Sequence, residues 1–214
     1  MNLYFYFKKF QNFFIKKSFL HSKIMTDFYF TGKKKTIVSF SSIGRGRRYI
    51  QQNEFFDLTN KYNVLFVKDI TRSWFNNIEI KYFKSYLKKN INSIGFSMGG
   101  FNAIIFSSLY PVDKVIAFSP QFSIHPNISK DKTFINFAAL IKKWKFPQLR
   151  FSKKTKYLLI FGDSENEKYH MKMIPKMKNI KILIIKNCDH KTALYLKKKN
   201  KLKKIISTFF DEEN

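Results

Sequence analysis

The sequence predicts an α/β domain built on a mostly parallel sheet with helices on both faces, and three observations carry that reading. Short apolar, β-branched and aromatic runs alternate with longer helix-like patterns from about residue 27 to the end, the signature of successive β-α-β units. The 214 residues suffice for one substantial core and are few for two, so a single domain is expected. A hydrophobic fraction of 44% with 26 Phe gives the chain ample material to bury, which excludes a disordered class.

The elements follow in order. Residues 1–26 form a basic, aromatic segment, "MNLYFYFKKFQNFFIKKSFLHSK" at its start, whose Lys8, Lys9, Lys16 and Lys17 cut the apolar runs too short for a membrane span or a signal-peptide core. Two readings fit it: an interfacial helix making peripheral contact with a membrane, or a strand and turn at the domain edge. From residue 27 onward, strands are expected at "DFYFT", "KTIVSFSS", "NVLFVKD", "SIGFS", "KVIAFS", "YLLIFGD" and "KILIIKN". Helices are expected near residues 50–60, 79–90, 99–109, 134–144, 167–177 and 192–210. The first two of these strands should pair as a hairpin through "TGKKK", and the others, joined by crossovers long enough for a helix, should run parallel. Residues 120–154, with Pro120, Pro126, Pro147 and one amphipathic piece, "FINFAALIKKWKF", form a lid-like insertion of a length usually reserved for binding segments.

The formal charge of +27 raises nucleic acid or an anionic membrane as a partner. Only five of the 41 basic residues are Arg, however, and phosphate or base-edge recognition favours the arginine fork, so nucleic acid is a secondary reading. The excess of Lys, Ile, Phe and Asn is of the kind an AT-rich coding sequence produces. A single cysteine, Cys188, excludes an internal disulfide and a multi-cysteine zinc site, and suits a reducing cytoplasmic compartment. No carboxylate pair, metal-ligand cluster or phosphate loop occurs, so no metal or cofactor is implied.

Chemistry concentrates at "GFSMGG", residues 95–100, which fits G-x-S-x-G between an expected strand and an expected helix. A serine on so tight a turn needs small neighbours two residues before and after it. The bland alternative is a serine that merely caps the helix. In this motif and its setting the sequence resembles the α/β-hydrolase family over about residues 35–210, with a candidate triad in the family's chain order of serine, acid, histidine. The resemblance implies that Ser97 is the nucleophile attacking an acyl carbonyl. It also implies His190 as the base, because "IIKNCDHKT" lies past the last strand while His21 precedes the sheet, His125 falls in the insertion and His170 on a helix. His170 is the reserve. For the acid, the family position in "LLIFGDSENEKYH" offers Asp163 first and Glu165 second, with Glu167 read as a helix-start carboxylate favoured by the dipole.

An acyl-transfer site needs backbone donors for the developing oxyanion. The family pattern gives Met98 N–H as one and Ser42 or Ile43 as the other, although "FSSIGRG" stands where many members have a His-Gly signature. Arg45, Arg47 and Arg48 cluster in that loop and are candidates for holding an anionic substrate group, or form a solvated turn. Trp74 and Phe122 are candidates for lining an acyl or sugar pocket, or are core. The segments "VSFSSIG", "FVKDITRSWFN" and "FSPQFSI" resemble hydrolase-like proteins encoded with bacterial surface-polysaccharide genes, which implies a small-molecule, glycan or lipid ester as substrate. The expected function is thus a serine hydrolase or acyltransferase. Its rival is a non-catalytic basic module that uses the same scaffold to bind membrane or nucleic acid.

Overall fold

The computed structural model describes residues 15–212. Its strands are β1 Ile15–Leu20, β2 Ile24–Phe30, β3 Thr36–Phe40, β4 Asn63–Asp69, β5 Ile91–Phe96, β6 Lys114–Phe118, β7 Lys156–Phe161 and β8 Ile180–Ile184. They make one eight-stranded sheet in the order β1-β2-β4-β3-β5-β6-β7-β8. Every pair from β4 to β8 is parallel, whereas β1–β2 and β2–β4 are antiparallel. The central strands β3, β4 and β6 are buried along their whole length, as continuous apolar runs must be when helices cover both faces.

The helices are α1 Met98–Leu109, α2 Ile135–Ala138, α3 Glu165–Lys172, α4 Thr192–Lys198 and α5 Leu202–Asp211. On one face of the sheet, Phe101, Ala103, Ile104, Ile105 and Phe106 of α1 pack with Val38, Phe40 and Leu65. On the other, Leu196 of α4 and Ile206 and Phe210 of α5 pack with Ile37, Val64 and Phe66. Ile37 and Val38 are neighbours in β3 yet serve opposite cores, as the period-2 alternation of a strand requires.

Four expectations are corrected. The "TGKKK" hairpin does not form, because β4 lies between β2 and β3; the hairpin is instead β1–β2, closed through residues 21–23. That arrangement is fixed by a buried ion pair, Lys68 Nζ to Asp27 Oδ2 at 2.8 Å, with Ser18 Oγ donating to Asp27 at 2.6 Å. The helix expected over 79–90 is replaced by two single 3-10 turns, Ile80–Tyr82 and Lys84–Tyr86, and that near 50–60 by a 3-10 turn at Phe56–Asn60. The last helix is two, broken at Asn200, whose φ is 56°. The N-terminal segment is not among these: residues 1–14 lie outside the described residues, and Ile15–Leu20 form a strand, in line with the strand-and-turn reading and not with the interfacial helix. Among the described residues no helix is long and apolar enough to cross a membrane.

The insertion keeps only the four residues of α2 as helix and is otherwise tied down by polar contacts. Asn76 Oδ1 accepts the backbone N–H groups of Lys145 and Phe146 at 2.6 and 2.8 Å. His170 Nε2 and Asp131 Oδ2 lie 3.0 Å apart, joining α3 to the insertion. These tethers seat it over the carboxyl edge of the parallel strands, the edge at which open α/β sheets bind ligands.

Candidate active site

β5 delivers Ser97 into an elbow at its carboxyl end. The residue sits at φ 55° and ψ −123°, outside the ordinary regions for a residue with a side chain. The strain is held from both sides: Ser97 N–H donates to Phe118 O at 2.8 Å, and Phe101 N–H to Ser97 O at 3.0 Å. The flanking glycines are required by contact. A Cβ on Gly95 would stand 2.1 Å from the Gly99 carbonyl, and one on Gly99 would stand 2.2 Å from Phe40 O. The second contact also shows that the loop after β3 lies directly against the elbow.

Two further loops bring partners to that serine. His190, in the loop between β8 and α4, places Nε2 2.9 Å from Ser97 Oγ. Its Nδ1 is 2.8 Å from Glu167 Oε1, on the first turn of α3. Ser97 and Glu167 are buried, whereas the imidazole side chain keeps 36% of its surface exposed. Burial on its own would raise the Glu167 pKa. Hydrogen bonds from His190 and Ser119, the His190 charge and the Gly162 N–H outweigh it and hold the carboxyl below its ordinary range. The carboxylate therefore stays ionised, which fixes the imidazole with its proton on Nδ1 and Nε2 facing the serine.

The carboxylate at His190 is thus neither of the two expected. Asp163 turns outward, where Oδ2 accepts Asn187 N–H at 2.9 Å and Oδ1 accepts Cys188 N–H at 3.1 Å. These bonds lower its pKa and clamp the loop that carries His190. Glu165 is exposed and pairs with Lys168 at 2.8 Å. The physical reason is helical: residues two apart in a helix point about 200° apart, so only one of Glu165 and Glu167 can face inward. Gly162 closes the arrangement, since a Cβ there would lie 2.2 Å from Cys188 O.

The loop after β3 separates the two expected oxyanion donors. Ser42 is occupied, its N–H donating to Glu54 Oε1 at 3.0 Å and its hydroxyl bonded to the same oxygen. Ile43 N–H and Met98 N–H have no acceptor among the described residues, the latter as an unpaired donor of the first turn of α1. Arg72, 2% exposed, pins this loop by donating to the carbonyls of Ile43, Gly46 and Tyr49. Arg45, Arg47 and Arg48 stand exposed on it without an ion-pair partner among the described residues.

The remaining expected residues divide. Trp74 is fully buried at φ 48° and donates its indole N–H to Gln121 Oε1 at 3.1 Å; Gln121 Nε2 in turn reaches Ser97 Oγ at 3.0 Å. Phe122 belongs to the core, and its N–H donates to His170 Nδ1 at 3.3 Å, so His170 supports the insertion and makes no hydrogen bond to Ser97. Sequence reasoning takes Glu167 only as a helix-start carboxylate and misses Gln121 and Phe134. The Phe134 ring, from the insertion, lies 5.3 Å from Trp74 and 6.3 Å from His190 by ring centroids. Only Glu167 left a signal, as the third acid of one short run. Among the described residues no group of three or more His, Cys, Asp or Glu side chains could hold a metal ion.

A mostly parallel sheet with a strained serine elbow after β5, and a histidine after its last strand, is the α/β-hydrolase fold. Among solved structures, the chain is similar to the capsule O-acetyltransferase of Neisseria meningitidis serogroup A, with TM-score 0.65, 16% identity, and coverage of 91% of this chain and 94% of that one. It is also similar to a carboxylesterase from Bacillus subtilis, with TM-score 0.57, 15% identity and 99% of each chain covered. A third, MenH from S. aureus, has TM-score 0.59 at 13% identity, with 90% and 100% covered. No protein-family model and no curated protein matches the sequence.

Proposed function

We propose that this protein is a serine acyl-ester enzyme that forms a covalent acyl intermediate on Ser97 and passes the acyl group to water or to a hydroxyl of a glycan. The observation that carries the proposal is the unbroken hydrogen-bonded chain from Ser97 Oγ through His190 to Glu167, at 2.9 and 2.8 Å. In this reading His190 Nε2 takes the Ser97 proton as Oγ attacks the acyl carbonyl, and Glu167 stabilises the imidazolium. The proton then goes to the leaving oxygen. Met98 and Ile43 N–H supply the oxyanion donors, and Ser42, with its N–H engaged by Glu54, does not.

The glycan is preferred as acyl acceptor or ester substrate for two reasons. The "VSFSSIG", "FVKDITRSWFN" and "FSPQFSI" segments resemble polysaccharide-locus proteins, and one of the similar structures is a capsule O-acetyltransferase. The exposed Arg45, Arg47 and Arg48 would suit an anionic group on donor or acceptor.

A fluorophosphonate probe tests the chemistry without knowledge of the substrate. Wild type should be labelled, and Ser97→Ala and His190→Ala should not. Folded wild type that resists the probe, and binds nucleic acid or anionic vesicles in a salt-sensitive way, would replace the proposal with a binding module.

A further inference from the structure

The Gln121 amide is buried just past β6, at the start of the insertion, 1% exposed, and both of its ends are engaged. Trp74 Nε1 can only donate, so the atom facing it at 3.1 Å must be the amide oxygen. That leaves Nε2 for Ser97 Oγ at 3.0 Å. A primary amide nitrogen can only donate, so Ser97 cannot give its proton to Gln121. The one hydrogen of the hydroxyl is therefore directed to His190 Nε2 at 2.9 Å. Every hydrogen bond from Trp74 through Gln121, Ser97 and His190 to Glu167 then runs in a single sense.

On this basis we infer that Gln121 is a catalytic residue, an oriented donor to the Ser97 oxygen in both halves of the acyl-transfer cycle. The inference rests on the serine-enzyme reading above. In the first half the O–H bond of Ser97 breaks toward His190 as the Oγ–C bond forms and the carbonyl electron pair moves onto the carbonyl oxygen; that pair then returns, the bond to the leaving oxygen breaks and His190 gives the leaving oxygen its proton. During the attack Ser97 Oγ passes through alkoxide character, and a donor already in place stabilises that charge more than it stabilises the neutral hydroxyl. In the second half the acceptor's oxygen attacks the acyl carbon and its proton goes to His190. The Oγ–C bond then breaks, and Ser97 leaves with the electron pair, the same charge on the same atom. His190 returns its proton to Oγ. Trp74 acts through Gln121: it is a positioning residue that keeps Nε2, rather than Oε1, against the serine.

The test is the rate of fluorophosphonate inactivation, separated into binding and reaction, for wild type, Gln121→Met, Gln121→Glu at pH 8, Trp74→Phe and the Trp74→Phe/Gln121→Met double variant, with melting curves for each. Gln121→Met, close in size but without a donor, should lower the reaction step by about ten- to a hundredfold, the range for a hydrogen bond to a charged group, and leave probe binding unchanged. Gln121→Glu retains the shape and, ionised, cannot donate; it should lose at least as much, which keeps the test decisive should the Met variant fold poorly. Trp74→Phe should lose less, and the double variant should be no slower than Gln121→Met, because both act through one bond. A folded Gln121→Met or Gln121→Glu that reacts at the wild-type rate would overturn the role of Gln121. Multiplicative losses in the double variant would overturn the positioning role of Trp74. Wild type that fails to react would instead sink the serine-enzyme reading itself.

Discussion

Glu167 Oε1 lies 2.8 Å from His190 Nδ1, and no other carboxylate makes a hydrogen bond to that imidazole among the described residues. Glu167→Gln leaves the side chain in place but removes the ionised acceptor that holds the imidazole proton on Nδ1. The amide would let the ring flip tautomer and turn a proton toward Ser97. The expected loss is about 10³- to 10⁴-fold in turnover, the scale on which the corresponding acid-to-amide change disables a serine triad. Glu165→Gln should leave turnover intact, because its carboxylate is on the opposite side of α3 with Lys168. A Glu165→Gln enzyme as damaged as Glu167→Gln would refute this assignment.

Asp163 should matter in a different manner. It touches neither Ser97 nor the His190 ring, yet accepts two backbone N–H groups from the residues just before His190. Asn in its place can accept through one oxygen only, so one of the two N–H groups loses its partner. Asp163→Asn should therefore lower turnover less than Glu167→Gln does. It should also speed amide hydrogen exchange at Asn187 and Cys188, which Glu167→Gln should not. An unchanged exchange rate there would argue against the clamp.

The contrast between these two acids marks where the sequence stops being informative. Ser97 and His190 were legible because a six-residue motif and the position past the last strand each select one residue. The strands were legible because β4 and β6 carry uninterrupted apolar runs, Val64 to Val67 and Val115 to Phe118, a pattern that survives any tertiary context. Asp163, Glu165 and Glu167 share one short segment, and which of them faces the imidazole depends on where α3 begins and on its rotation about its axis. A shift of two residues in that start, about 200° of rotation, would put Glu165 where Glu167 now stands. The edge of the sheet was hidden for a similar reason: β2 pairs with β4 across a separation of about forty residues, through Lys68 and Asp27, while the nearer β3 offers no less suitable a strand. Gln121 belongs to no motif, and only its place between Trp74 and Ser97 reveals it.

Glu54 gives the oxyanion loop a pH signature. Burial pushes its pKa up to about 7 from 4.5, against the opposing hydrogen bonds from the Ser42 hydroxyl and N–H. Between pH 4.5 and 7 the folded protein thus holds a proton here that the unfolded chain releases. The stability this group contributes is fully present below pH 4.5 and is lost as pH rises through about 7. Glu54→Gln should flatten that part of the stability-pH curve, measured by urea unfolding at a series of pH values. An identical slope in wild type and variant would mean that the carboxyl is ionised throughout.

Asn102 supplies the last prediction. It lies in α1, one turn beyond the elbow, is fully buried, and has a hydrogen-bond partner among the described residues at neither its amide oxygen nor its nitrogen. An unpaired buried amide costs about 1–3 kcal/mol, whereas a side chain of similar size without polar atoms would bury at a gain. Leu also propagates a helix better than Asn does, since it does not compete for the backbone. Differences between a planar amide and a branched isobutyl group offset part of this gain. A net stabilisation of about 1 kcal/mol is expected for Asn102→Leu, raising Tm by about 3 °C for a chain of this length. The elbow itself is held by Phe118 O and by the Phe101 N–H, neither of which the substitution touches, so probe labelling of Ser97 should be unchanged. A Tm lower than wild type, with slower labelling, would show that the amide finds a partner in solution and that this partner supports the turn carrying Ser97.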